Sequence, residues 1–372
     1  MKTLVLTISI ILSIPFSSFS QPLKPGFDYE EYITMLQILA YQVDTPWTDM
    51  NIEYPEGYMF DYRSHEVGLM NKWDLWISDD SIVIVSIRGT VGDFTSWLEN
   101  FYAAMIPASG KLQLGETEFF EYKFSTDPKS AVHVGWTIAL AYMQTDIEHK
   151  IDSCLNLGYS NFIVTGHSQG GAIAYLLTAN LWIKKNMGRF GNNFTLKTYC
   201  SAAPKPGNIN FAREYEYLTQ DGWAYNVVNA ADWVPELPFS VQTLNDINET
   251  NPISDKKQAL KNQGLFARMF MGSAYNKVTR PLNKSVKRLQ KYLGKKAYKF
   301  VIKSLPDFEN PKYAKTNYYV RTGNTITLYP DSAYNEIFAK NPKHKFVHHM
   351  LKPYLYLAKK QKKELLENME SN

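Results

Sequence analysis

Gly166-His167-Ser168-Gln169-Gly170-Gly171 lies between the apolar stretch Phe162 to Thr165 and a second apolar run that resumes at Ala172. A serine at the apex of a sharp strand-to-helix turn has its hydroxyl presented outward. Small residues two places before and two places after it let strand and helix pack closely. The backbone N–H groups that follow open the helix and suit a developing oxyanion. A bare Gly-x-Ser-x-Gly occurs by chance and can merely connect two elements. With a strand before it and a helix after it, Gly166-x-Ser168-x-Gly170 marks Ser168 as a nucleophile.

A serine hydroxyl needs an imidazole base, and the base needs a carboxylate to hold its tautomer and stabilise the imidazolium. On this kind of turn the chain order is serine, acid, histidine. Of the seven histidines, His344, His348 and His349 follow Ser168, and the order excludes His65, His133, His149 and His167. The acid belongs just after a strand beyond the serine's helix. Asp232 has that place, in NVVNAADWVPELP, beside Trp233, Val234 and Pro235. Asp221 precedes that strand, and Asp246 and Asp255 fall in an irregular segment. His344 and His348 are four apart, a spacing that can bind metal, but no further ligand cluster accompanies them. Neither a metal nor a cofactor is expected.

These residues need elements to hold them. Residues 29–43 read as an amphipathic helix and Tyr54 to Arg63 as turn-rich. Residues 73–77 and 82–87 read as strands, the second buried on both faces and ending in Arg88-Gly89-Thr90. Apolar spacing predicts a helix over 135–157, stopped at Gly158. A strand at 162–165, a helix at 170–186, a strand at 196–201, a helix at 208–218 and a strand at 223–230 follow. This alternation predicts an α/β fold, a mostly parallel sheet with helices on both faces. After Pro238 the pattern breaks. Residues 317–328 read as a hairpin around Gly323-Asn324, and the chain from Pro353 reads as helix.

Composition bounds the rest. The chain has 372 residues, of which 45% are hydrophobic and 14% aromatic, enough for one large core. Residues 1–20 read as an export signal: Lys2, a short apolar run from Leu4 to Ile14, and Ser18-Phe19-Ser20 before Gln21. The expectation is one domain over 21–372, exported, and periplasmic if the source is a Gram-negative bacterium. Cys154 and Cys200 are expected to be unpaired and buried. The net charge of +4 hides an asymmetry, because residues 256–303 hold fourteen Lys or Arg and no Asp or Glu. The remainder carries 26 basic and 36 acidic residues. The block lies in an insertion of about 240–316, expected to be largely helical in pieces divided by Gly264, Gly272, Pro281 and Gly294. Its interleaved Phe, Met, Leu and Tyr suit an anionic membrane surface. A solvated face is the plainer alternative, and no nucleic-acid motif accompanies the block.

The chain resembles the class 3 (fungal-type) triacylglycerol lipase family of the α/β-hydrolase fold. The matching pieces, in the family's order, are VSIRGT at 85–90, VHVGW at 132–136, VTGHSQGGAIA at 164–174, SAAPKPGN at 201–208, NAADWVPELP at 229–238 and HMLKPYL at 349–355. The resemblance covers roughly residues 30–240 and the C-terminal helix region. It implies Ser168 as nucleophile, Asp232 as acid and His349 as base, with His348 the alternative. It implies an oxyanion hole from the backbone N–H groups of Thr90 and Gln169, the Thr90 hydroxyl adding a further donor. The implied activity is hydrolysis of lipid esters by a monomer. A catalytically silent lipid-binding protein, or a serine peptidase or thioesterase, are the alternatives on the same scaffold. Gln169 departs from the apolar residue common after the serine, which predicts a more polar pocket. The insertion has no counterpart in the family pattern.

Overall fold

A computed structural model describes residues 23–248, 250–251, 265–339 and 345–371. The expected export signal, His344 and the start of the basic block lie outside the described residues. The central sheet has seven strands: β1 (Tyr58–Arg63), β2 (Trp73–Ser78), β3 (Ile82–Ile87), β4 (Asn161–His167), β5 (Thr195–Ser201), β6 (Ala224–Asn229) and β7 (Asn324–Leu328). They lie side by side in that order. β1, β2 and β3 pair antiparallel, and β3 through β7 pair parallel.

Strand periodicity splits the core into two layers. Val83, Val85, Phe162, Val164, Leu196 and Cys200 point to one face of the sheet, and Ile84, Ile163, Tyr199 and Val227 to the other. The second face is covered by helices α1 (Tyr29–Ala40) and α9 (Leu351–Glu370). The first face is covered by α2 (Phe94–Phe101), α3 (Val134–Asn156), α4 (Gln169–Asn186) and α5 (Ile209–Leu218). Local chemistry starts these helices. Asp28 accepts from the Glu30 and Glu31 amides, Asp93 from Thr95, and Asn208 from Phe211. Cys154 and Cys200 are free and buried.

Three sequence expectations need correction. Tyr58–Arg63 is an edge strand, because its backbone pairs with β2 across a register shift between Phe60 and Tyr62. The hairpin expected at 317–328 does not form. Tyr319 and Val320 pair with Asn208 and Gly207 in a small second sheet, while β7 pairs in parallel with β6. Gly323, at φ 80°, supplies the turn between them without bringing the two flanks together. The insertion is not broken at Gly272 or Pro281. Helix α6 (Leu265–Leu289) runs through both, passes into a π-helical segment at Gln290–Lys296, and continues as α7 (Ala297–Ser304). Gly294 lies in the π segment, where a Cβ would meet the side chains of Ala104 and Tyr313 at 3.0 Å, so the segment docks closely there. A further helix, α8 (Ser332–Phe338), precedes the C-terminal turn.

Candidate active site

Ser168 sits between β4 and α4 with φ 59° and ψ −126°, a strained backbone for a residue with a side chain. Its neighbours explain how the strain is held. A Cβ on Gly166 would lie 2.3 Å from the Gly170 carbonyl carbon, and one on Gly170 would lie 2.2 Å from the Ile87 carbonyl oxygen. Strand and helix therefore touch where any larger residue would wedge them apart. The Ser168 N–H donates to the Ser201 carbonyl at 2.9 Å, tying the turn to β5.

Three elements from distant parts of the chain meet above this turn. His349 Nε2 lies 2.8 Å from Ser168 Oγ, and His349 Nδ1 lies 2.7 Å from Asp232 Oδ2. His349 ends a short 3-10 turn, Val347–His349, just before α9. Asp232 follows β6 as expected. Its Oδ1 accepts from the Val234 amide at 3.0 Å and its Oδ2 from the Tyr354 hydroxyl at 2.8 Å. Burial alone would raise the Asp232 carboxyl. The adjacent His349, the Val234 amide and the Tyr354 hydroxyl outweigh burial and hold it below the ordinary value. His348 is directed elsewhere. Its Nδ1 lies 2.7 Å from the Tyr334 hydroxyl, and burial lowers its pKa.

Thr90 follows β3 and faces the start of α4. Neither its N–H nor that of Gln169 is taken by a backbone carbonyl among the described residues. The Thr90 hydroxyl is engaged. It donates to Gln169 Oε1 at 2.9 Å and accepts from Asn100 Nδ2 at 2.9 Å. The side chain of Gln169 does not make the pocket more polar, contrary to expectation. It is buried, and its amide turns away from the cavity to donate to Glu99.

The cavity over Ser168 is about 610 Å³ and is lined by Trp47, Trp97, Phe101, Trp136, Trp233, Val234, Leu237, Phe239, Leu293, Phe346 and His349 among others. Its walls are apolar and aromatic. Ser168, His349 and Thr90 are the polar groups that reach it beside Asn100. Such a cavity suits a hydrophobic chain with its reactive polar group at the floor. Leu293 brings the basic insertion into the wall, anchored where the Ala104 N–H donates to the Leu293 carbonyl at 3.1 Å. No group of three or more His, Cys, Asp or Glu that could hold a metal occurs among the described residues.

The sequence carried no signal for several residues that shape this site. Tyr354 belongs to the motif HMLKPYL, but nothing there assigns its hydroxyl to Asp232. His167 precedes the serine and lies too early for the base. Its Nε2 nonetheless lies 2.6 Å from the His349 carbonyl oxygen. Glu99 lies in α2, a helix that no sequence expectation covered, and it is fully buried.

Residues 84–242 match the family described as Lipase (class 3). The secreted mono- and diacylglycerol lipase 3 of Gibberella zeae is 37% identical over 180 residues, 47% of this chain and 51% of the relative. The secreted mono- and diacylglycerol lipase 1 of Fusarium solani is 29% identical over 158 residues, 42% of this chain and 39% of the relative. The chain thus spans no more than about half the length of these curated relatives. Among solved structures, the lipase from Rhizopus microsporus var. chinensis aligns at 20% identity and TM-score 0.41, over 63% of this chain and 80% of that one.

Proposed function

We propose that this chain, whose residues 84–242 match the class 3 lipase family, is a serine ester hydrolase acting on acyl esters of lipids. The observation that carries this reading is the hydrogen-bonded series Ser168–His349–Asp232 at the floor of an apolar cavity. Two backbone N–H groups, of Thr90 and Gln169, that meet no backbone carbonyl among the described residues stand beside it.

The chemistry follows from the geometry. Ser168 Oγ attacks the ester carbonyl carbon while His349 Nε2 takes its proton. Asp232, accepting from Nδ1–H, holds the tautomer and stabilises the imidazolium. The Thr90 and Gln169 N–H groups receive the carbonyl oxygen as it becomes an oxyanion, the kind of preorganised donor pair that dominates acyl-transfer catalysis. His349 then protonates the leaving alcohol. Water, deprotonated by the same imidazole, cleaves the acyl-enzyme and restores Ser168. The aromatic walls take the acyl chain. Monoacyl- or diacylglycerols suit the cavity, in keeping with the names of the two fungal relatives.

The reading includes export, on the pattern of residues 1–20, and docking on anionic membrane. In the described part of the basic block, Lys277, Arg280, Lys284, Lys287, Arg288 and Lys291 are all exposed. Met269, Phe270, Met271 and Tyr292 are exposed near them. Cationic heads beside apolar side chains match an anionic lipid surface. Leu293 ties that surface to the cavity wall. No helix among the described residues is long and apolar enough to cross a membrane.

The test is a panel of p-nitrophenyl esters from short to long acyl chains, run beside a monoacylglycerol and a phospholipid. Wild-type protein is expected to hydrolyse them and Ser168→Ala to lose turnover while keeping its fold. A fluorophosphonate should modify Ser168. Full activity in Ser168→Ala, or a phosphonate adduct mapped to another residue, would end the reading.

A further inference from the structure

Glu99 is an anomaly for a position on a short surface helix. It is fully buried, and no salt bridge reaches it among the described residues. Burial pushes its carboxyl well above the ordinary value, with the Asn71 amide pulling the other way. Buried charge of this kind is costly unless its hydrogen bonds are satisfied. Here both oxygens are engaged, Oε1 by Asn71 Nδ2 and Oε2 by Gln169 Nε2.

The hydrogen bonds around Glu99 have a fixed direction. An indole N–H can only donate, and Trp136 Nε1 donates to Asn100 Oδ1 at 3.1 Å. Asn100 must therefore present its amide to Thr90 Oγ1, which it does at 2.9 Å. The Thr90 hydroxyl then has its proton free for Gln169 Oε1, at 2.9 Å. That orientation points Gln169 Nε2 at Glu99, where the series needs an acceptor to end. Donation thus runs from Trp136 through Asn100, Thr90 and Gln169 to Glu99. Two of these residues carry the N–H groups assigned to the oxyanion, on segments that follow different strands.

We infer that Glu99 is a positioning residue for the oxyanion hole: through the Gln169 side chain it sets the spacing and aim of the Thr90 and Gln169 backbone N–H groups. The inference rests on the ester-hydrolase reading of the site. It also accounts for the polar residue after the serine. An apolar side chain at 169 would leave both the Thr90 hydroxyl and Glu99 without their partner. Glu99 itself touches no reacting atom.

The experiment uses the full chain and three variants. Glu99→Leu removes the terminal acceptor. Gln169→Glu sets one carboxylate against another. The double variant E99Q/Q169E restores every donor–acceptor pair, because the new amide at 99 accepts from Asn71 and donates to the new carboxylate at 169. Misplacing an oxyanion donor is expected to lower kcat about ten- to hundredfold in each single variant, with KM within about twofold. The double variant should return to within about threefold of wild type. Should Glu99→Leu fail to fold, Gln169→Glu and its double variant, which keep the side-chain volumes, carry the test. The Thr90 backbone amide resonance should shift in the single variants and return in the double one. Unchanged kcat and an unmoved Thr90 amide resonance in Gln169→Glu overturn the inference. So does loss of kcat and KM together with no recovery in the double variant, which would mark Glu99 as a structural residue. If wild type hydrolyses no ester and Ser168 takes no phosphonate, the ester-hydrolase reading fails on its own. The Thr90 amide resonance then still decides the role of Glu99.

Discussion

The ring of His167 lies 2.6 Å from the backbone carbonyl oxygen of His349. Its other nitrogen is 3.1 Å from Ser201 Oγ, which is in turn 2.8 Å from the Tyr32 hydroxyl. The residue before Ser168 therefore tethers the turn that carries His349, the proposed base, and β5 and α1 hold the tether. His167→Ala should free the His349 turn and leave a buried hydroxyl and carbonyl short of a partner. The expected cost is about 1–3 kcal/mol of stability. Turnover should fall about tenfold or more, because the base is no longer held in place. Thermal melting and single-turnover acylation check both parts. Wild-type acylation in a folded variant would show that the tether is dispensable.

Adjacent histidines give a sharper contrast. His349→Ala should reduce kcat by about three orders of magnitude or more, leaving what the oxyanion site and binding provide. His348→Ala loses a hydrogen bond to Tyr334 and a stacked ring at 5.6 Å. Its effect on kcat should stay below about tenfold, since it lies outside the Ser–His–Asp series. Steady-state kinetics on one soluble ester decide the ranking. The reverse order would move the base to His348.

His133 and His167 make the fold sensitive to acid. Both are fully buried, and burial, joined at His167 by the neighbouring His349, pushes each pKa down to about 3. The unfolded chain takes protons on these imidazoles below about pH 6.5, while the folded chain does not. Stability therefore falls as pH drops from about 6.5 toward 3, by up to about 1.4 kcal/mol per unit for each ring. Glu99, whose pKa is raised, acts in the opposite sense above the ordinary carboxyl range, so the histidine contribution is read from a difference. His133→Asn should flatten the dependence by about one proton. Urea unfolding between pH 7 and 5, compared with wild type, measures it. Parallel curves for the two proteins would contradict the neutral buried state of His133.

For the basic insertion, salt is the lever. Each cation near an anionic bilayer is worth about 1 kcal/mol, and added salt screens it. Vesicles rich in an anionic phospholipid should bind the protein at low salt and release it at high salt, while neutral vesicles bind weakly. Replacing Lys284, Lys287, Arg288 and Lys291 with Gln should reproduce the release at low salt. Hydrolysis of a short soluble ester should hardly change, since none of these four lines the cavity. Equal, salt-insensitive binding to both kinds of vesicle would leave the block as a solvated face.

What the sequence by itself determined is local. The spacing of glycines around Ser168 encodes a strand-to-helix contact too close for any Cβ, and the structure holds it there. The helices at 134–156 and 169–186 and the buried strand between them follow from periodicity and stop signals that act within a few residues. Tertiary structure decided what depends on partners far along the chain. Gly323-Asn324 has the local chemistry of a hairpin, but its flanks find better partners in Asn208 and Tyr225 and go to different sheets. Tyr58–Arg63 becomes a strand only because β2 offers its edge. Pro281 stays inside a helix that the sequence would have broken there. His348 and His349 are adjacent and of one type, and in the sequence it is the resemblance that favours His349. The turn before α9 directs one ring to Tyr334 and the other to Ser168. Glu99 shows the limit most clearly. A charged residue is usually solvated, and only packing against the segments that carry Asn71 and Gln169 turns Glu99 into a buried acceptor, because burial is a property of the neighbours and not of the residue.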